Sequence, residues 1–191
     1  MFIIPKAKEI EGELKYAVRR QEETIYYKRL RMANPEMSRF KDLILYNLEA
    51  GEAVLTDNND IRVYTDGKEK FRALIEEMKQ AKRYIHMQYY IIRNDELWQE
   101  VEKVLIQKAR EGVEVRVLFD SMGCRTMKNR DWERLEKEGI QVAEFFPALL
   151  GQLQLRVNYR NHRKIVVIDG RVGFVGGFNV GREYLDRKSV V

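Results

Sequence analysis

A chain of 191 residues that is 45% apolar and 34% charged can bury a real core, which excludes a disordered polymer and a bundle of membrane spans. Its single cysteine, Cys124, excludes an internal disulfide. With only two histidines there is little to ligate zinc, so the expected chemistry uses no metal and no cofactor. A net charge of +5 favours anionic partners, meaning nucleic acid, phosphorylated metabolites or acidic lipid.

No stretch approaches the ~20 consecutive apolar residues of a membrane-spanning helix, and the opening MFIIP is too short for a signal-peptide core. Residues 1–50 read as a basic helical lead-in. Pro35 divides it, and Phe40, Leu43, Ile44 and Leu48 form a short apolar stripe after the break. A basic membrane-surface segment is the sharper reading. The acids Glu9, Glu11, Glu13, Glu22 and Glu23 argue against it and for packing on a domain.

From about residue 51 an α/β alternation begins. EAVLT (52–56) and IRVYT (61–65) are expected as short strands. Asp66 and Glu69 form a capping box for a helix that turns Phe71, Leu74, Ile75 and Met78 to one side. YIHMQYYII (84–92) is a strand by its β-branched and aromatic content. Asn94 is expected to cap the next helix, with Leu97, Val101, Val104 and Leu105 inward and an end near Gly112. VEVRVLF (113–119) alternates as a strand, a third helix carries Trp132 and Leu135 up to Gly139, and IQVAEFF (140–146) is a strand again. That order predicts an α/β fold, a mostly parallel mixed sheet flanked by helices. Ligands of such sheets bind beyond the carboxyl ends of the strands. Attention therefore falls on 93–95, on 120–125 and on the segment after 146.

That last segment contains a hairpin without acids before its turn. Between Glu144 and Asp169 there is no acidic residue, while Arg156, Arg160, Arg163 and Lys164 lie inside that window. KIVVI is a β-branched run, Asp169-Gly170 is a two-residue turn signal and RVGFV is the return strand. With that turn Ile168 faces Arg171, Lys164 faces Val175, and His162 faces Gly177. His162 and Lys164 then share a face by alternation, and Asn179 continues it opposite Arg160. The glycine pair leaves the patch without bulk. An imidazole, an amine and an amide around an open spot suit phosphoryl chemistry, with the imidazole as nucleophile or base and the others holding phosphate oxygens. From the residues alone, a basic hairpin with one solvated histidine stands beside that reading.

The pattern His162-x-Lys164, four residues, Asp169, six residues, Gly176-Gly177-x-Asn179 resembles the signature motif of the phospholipase D superfamily. With its flanking sequence, the chain resembles the bacterial cardiolipin synthases over roughly 50–185. The resemblance implies a phospholipase D-like catalytic half-domain over 51–185 after the lead-in of 1–50; the abrupt stop DRKSVV (186–191) after a strongly patterned region is itself read as a non-native tail of a truncated chain. It implies phosphatidyl transfer between two phosphatidylglycerol molecules through a phosphohistidine, releasing glycerol, with no metal. His162, Lys164 and Asp169 would be the catalytic residues, with Asp169 at the turn orienting the hairpin. Lys164, Asn179, Gly177 and Arg160 would hold the substrate phosphate. Its partners would be anionic phospholipid at the cytoplasmic face of the cell membrane, and a second motif from a missing half or a second chain. With one motif copy, the monomer alone is expected to be inactive. The sequence departs from the family at Arg182, where an acid is expected, and at Gly177, often serine in the superfamily.

Two other function classes stay open: a single-motif homodimeric phosphodiesterase or nuclease, whose basic patch would bind nucleic acid with strong salt dependence, and a non-catalytic module for anionic lipid or protein. Among other residues, His86 is read as a hydrogen-bonded strand histidine before a catalytic partner, with Gln88 and Tyr90 on its face. Asp120 is read as a loop cap before an active-site carboxylate. Cys124 is a loop thiol before a low-pKa one, and FFPALL (145–150) is a buried loop before a lipid-inserting one.

Overall fold

In the amino-terminal unit, Met1–Arg62, apolar residues are sparse, and those recurring at helical spacing are the buried ones. Helix α1 covers 11–21. A 3-10 turn, Pro35–Phe40, leads into α2, Lys41–Gly51, whose Ile44 and Leu48 face inward beside Val18, Met37, Val54 and Leu55. Gln21 fixes the exit from α2 by bonding both backbone groups of Leu55, at 2.8 and 2.7 Å. The structure, a computed structural model, describes residues 11–21, 35–56, 59–145 and 160–185. Arg156, most of the 145–150 loop and the 186–191 tail lie outside them.

The second unit, Val63–Val191, is built on alternation. Its strands are β1 (Tyr84–Tyr89), β2 (Glu114–Asp120), β3 (Gln141–Phe145), β4 (Ile165–Ile168) and β5 (Val172–Val175), in the order β3-β2-β1-β4-β5. β1, β2 and β3 pair in parallel, whereas β4 is antiparallel to both β1 and β5. Four of the five strands therefore point the same way, with two parallel and two antiparallel pairings, and the sheet is the mixed α/β one expected. One face carries Ile85, Met87, Tyr89, Val115, Val117, Phe119, Val166 and Ile168, all buried. Against them pack Phe71, Leu74 and Met78 of α3 (Gly67–Lys79), Trp98, Val101 and Leu105 of α4 (Glu96–Arg110), and Trp132 and Leu135 of α5 (Asn129–Lys137), in one continuous core. Phe119 stacks on Trp132 at 4.0 Å between ring centroids. Fully burying side chains of this size contributes roughly 1.5–3 kcal/mol each.

Three local expectations change. Residues 52–56 and 61–65 form no strand. Among the described residues their β-branched side chains pair with no strand, and Ile61 and Val63 are 79% and 83% exposed. Strand propensity reports fit to a paired, half-buried surface, which is missing here. The cap of α4 is Asp95, whose carboxylate takes the Trp98 amide at 3.2 Å. Asn94 instead donates through its backbone to Thr126 and through its amide to Asp131.

The hairpin register is the third change. Asp169 and Gly170 both have positive φ (56° and 68°), and the Arg171 N–H donates to Ile168 O at 3.0 Å, as a primed two-residue turn demands. The ladder then starts one residue later, at Ile168 with Val172 and Ile165 with Val175. Arg171 is an extra residue in the return strand, a bulge. Every cross-strand partner shifts by one. Phe174 comes opposite buried Val166, Val175 is left 81% exposed, and Lys164 lies across from Gly176, whose N–H reaches Lys164 O at 3.3 Å.

Candidate active site

β4 is pinned at both ends. At the turn, the Asp169 carboxylate accepts three backbone N–H bonds from Lys82, Arg83 and Tyr84, at 2.9, 2.8 and 2.9 Å. Its partial burial acts to raise the pKa, but those three donors and the Arg83 charge outweigh it, and the pKa falls below the ordinary 3.8. Asp169 thus sits at the opposite end of β4 from His162 and sutures the hairpin to the start of β1. Replacing it by alanine is expected to cost about 2 kcal/mol in urea unfolding at neutral pH. A carboxylate with a depressed folded-state pKa stabilises above its unfolded pKa. The gap between wild type and Asp169→Ala should therefore close as the pH falls below about 4.

At the other end the chain enters through Arg160, Asn161 and His162. Asp120, the last residue of β2, is fully buried. One carboxylate oxygen takes the Met122 N–H at 2.9 Å and the other takes the Asn161 N–H at 3.0 Å. The Arg160 guanidinium is turned toward this carboxylate, 3.7 Å away, and is only 12% exposed. His162 itself is exposed. Lys164 is 5% exposed, and its amine bends back to His162, 2.7 Å from the carbonyl and 3.0 Å from Nδ1. Burial lowers the Lys164 pKa from its ordinary 10.5. The Tyr90 ring lies against both, 4.6 Å from the His162 ring and 5.3 Å from the Lys164 amine.

Asn179 reaches this group by a route the strand count does not contain. It is buried, its Oδ1 accepts the Ile91 N–H at 3.1 Å, and its Nδ2 donates to the Tyr184 hydroxyl at 2.8 Å. Ile91 follows Tyr90, so Asn179 is anchored to the main chain one residue past the tyrosine whose ring touches His162. Gly176 and Gly177 are exposed, and a side chain at either would meet no described atom within 4 Å. An imidazole and an amine are in direct contact beside an open glycine pair, with a carboxamide one residue from their shared aromatic wall. Lys70 and Tyr89 carry no functional signal in the sequence. The Lys70 amine donates to the Tyr89 hydroxyl at 2.7 Å, and burial brings its pKa down to about 7.

The remaining candidates separate from the site. His86 bonds Glu114 at 2.7 Å and stacks on Tyr84. It lies four strand residues from Tyr90, about 13 Å at ~3.3 Å per residue. Cys124 is buried, receives the Ile92 N–H at 3.2 Å and reaches Tyr90 O at 3.6 Å. Burial pushes its thiol up to about 12, against the low-pKa alternative. The folded chain is expected to resist iodoacetamide at about pH 8 and to react fully once unfolded; fast labelling of the native form would contradict that burial.

At the carboxyl edge of a mixed α/β sheet, a histidine and a lysine two residues apart are in contact beside an exposed glycine pair, groups of the class that suits phosphoryl chemistry. Residues 74–189 match the family described as "Cardiolipin synthase, PLD-like domain", and the chain belongs to that family. It is 48% identical over 151 residues to a cardiolipin synthase of Oceanobacillus iheyensis, covering 79% of this chain and 31% of that protein. It is 50% identical over 145 residues to the major cardiolipin synthase of Bacillus subtilis, covering 76% of this chain and 30% of that protein. The chain thus spans under a third of the length of these relatives. Among solved structures, NucT from Helicobacter pylori aligns with a TM-score of 0.47 and 15% identity, covering 61% of this chain and 70% of that one.

Proposed function

We propose that this chain supplies one half of a phosphatidyltransferase site of cardiolipin-synthase type. The carrying observation is the contact of the Lys164 amine with His162 Nδ1 beside the open Gly176-Gly177 pair. A charged amine only donates, so Nδ1 accepts and the neutral ring keeps its proton on Nε2. A phosphodiester entering over the glycines competes for the Lys164 amine, drawing it onto a non-bridging oxygen and freeing the ring to shift its proton. The imidazole nitrogen then attacks phosphorus, and the bond from phosphorus to the glycerol oxygen of phosphatidylglycerol breaks. That oxygen takes a proton from a second acid, and a phosphohistidine remains. The hydroxyl of a second phosphatidylglycerol attacks it, gives its proton to the same base and releases His162, yielding cardiolipin.

Lys164 acts on the charge that builds at phosphorus. Asn179 secures the chain beside Tyr90 through its bond to the Ile91 N–H, and Asp169 positions the hairpin. The second acid comes from a second motif, in further chain or in another copy. The substrate is a bilayer lipid, so the reaction belongs at a membrane surface. Among the described residues no helix is long and apolar enough to cross a membrane.

The test grafts this chain onto the Bacillus subtilis relative in place of the matching segment and supplies labelled phosphatidylglycerol in mixed micelles. Cardiolipin and glycerol should appear in equal amounts, while the 191-residue monomer alone turns nothing over. Cleavage of DNA or RNA without lipid turnover would replace this reading with a nuclease one.

A further inference from the structure

We infer that Asp120 is a positioning residue for His162, and that the loop it opens, 120–124, clamps the imidazole from two sides. The inference rests on His162 being the reacting group. A loop cap needs only the bond to the Met122 N–H. The second carboxylate oxygen does something else, crossing to the Asn161 N–H, 41 residues along the chain and adjacent to His162. From that anchored residue the Asn161 Oδ1 accepts the Arg163 N–H at 3.4 Å, a long bond that spans His162 in a local turn. The backbone carrying the imidazole is thus held before, across and, through the Lys164 amine on His162 O, after the residue.

The other end of the loop holds the wall of the site. Gly123 lies so close to Tyr90 that a Cβ would come within 1.9 Å of its carbonyl oxygen, so no other residue fits there. Gly123 and Cys124 both return N–H bonds to Asp120 O, at 3.2 Å each. The Cys124 thiol donates to the Tyr90 carbonyl and accepts from Ile92. Tyr90 is the ring against His162. Five consecutive residues therefore hold both the main chain that bears the imidazole and the main chain that bears the Tyr90 ring lying against it. This loop lies past the carboxyl end of β2, where α/β sheets place their reacting groups. Misplacing a reacting group by about 1 Å can cost ~100-fold.

The chain's two histidines make the test direct, because His86 is a reference far from the clamp. In the 191-residue chain, the imidazole ring signals are followed by proton–carbon NMR, with and without inorganic orthovanadate as a phosphoryl probe. Asp120→Asn should displace the His162 signal, leave His86 in place, and weaken orthovanadate binding at His162 by about ten- to a hundredfold. A His162 signal coincident with wild type, or both histidines moving together, would overturn the inference and reduce Asp120 to a support of the fold. If Asp120→Asn does not fold, Cys124→Ala removes only the thiol contacts to Tyr90 and Ile92 and is read in the same way. A wild-type chain whose His162 ignores orthovanadate, while Asp120→Asn still moves it, would sink the phosphoryl reading and leave the clamp standing.

Discussion

His162→Ala in the grafted enzyme is expected to abolish cardiolipin formation, with a loss of at least about 10⁴-fold in kcat. The size comes from the step removed. Without the imidazole no covalent phosphoryl intermediate forms, and the remaining cations supply only binding and charge stabilisation. A companion result sharpens it. Wild-type enzyme quenched during turnover should carry a phosphatidyl group on His162 through an acid-labile P–N bond, detectable by mass spectrometry of the peptide spanning the site. His86→Ala serves as the contrast. Its imidazole is committed to Glu114 on the exposed face, so turnover should stay within about twofold of wild type. A loss below about tenfold in His162→Ala, or a collapse in His86→Ala, would assign the nucleophile elsewhere.

The pairing of His162 with Lys164 was readable from the sequence because it is local. Two residues of extended chain bring side chains to one side, and the amine needs only to bend back to reach the ring. The core strands were readable for the same reason: YIHMQY and EVRVLFD alternate, and the alternation matches their burial. The hairpin was legible in place but not in register. Asp-Gly specifies two left-handed residues, yet nothing in the dipeptide says whether Arg171 joins the ladder or bulges from it. The choice is made by Phe174, which gains a place against the core only in the bulged register. The expected strands at 52–56 and 61–65 show the converse, local propensity without a partner among the described residues. The features that stayed hidden were long-range. Tyr184 and Asp120 reach the site through contacts to Asn179 and to the Asn161 amide. An aspartate at the end of a strand gives no local sign of which distant N–H it will hold. The Lys70 pair with Tyr89 is of the same kind, an amphipathic-helix lysine turned inward by a tyrosine hydroxyl.

Lys164→Met is expected to lower kcat by about 10³-fold with KM changed by less than about threefold. The amine neutralises charge that accumulates at the phosphoryl oxygens as the His162–phosphorus bond forms, so its contribution is larger in the transition state than in the bound lipid. A loss confined to KM would instead mean uniform binding of the phosphate. The pH dependence carries an independent sign. Lys164 works while protonated, and burial lowers its pKa from 10.5. The alkaline limb of kcat/KM should therefore begin below pH 10.5, with activity lost as the pH rises through the lowered pKa. Lys164→Arg retains the charge at all accessible pH values but presents a planar fork in a slot built for a bent amine. That variant should be slow throughout and should lack the alkaline limb. An unchanged limb in Lys164→Arg would place the titrating group elsewhere, with Lys70, whose burial brings it to about 7, the next to replace.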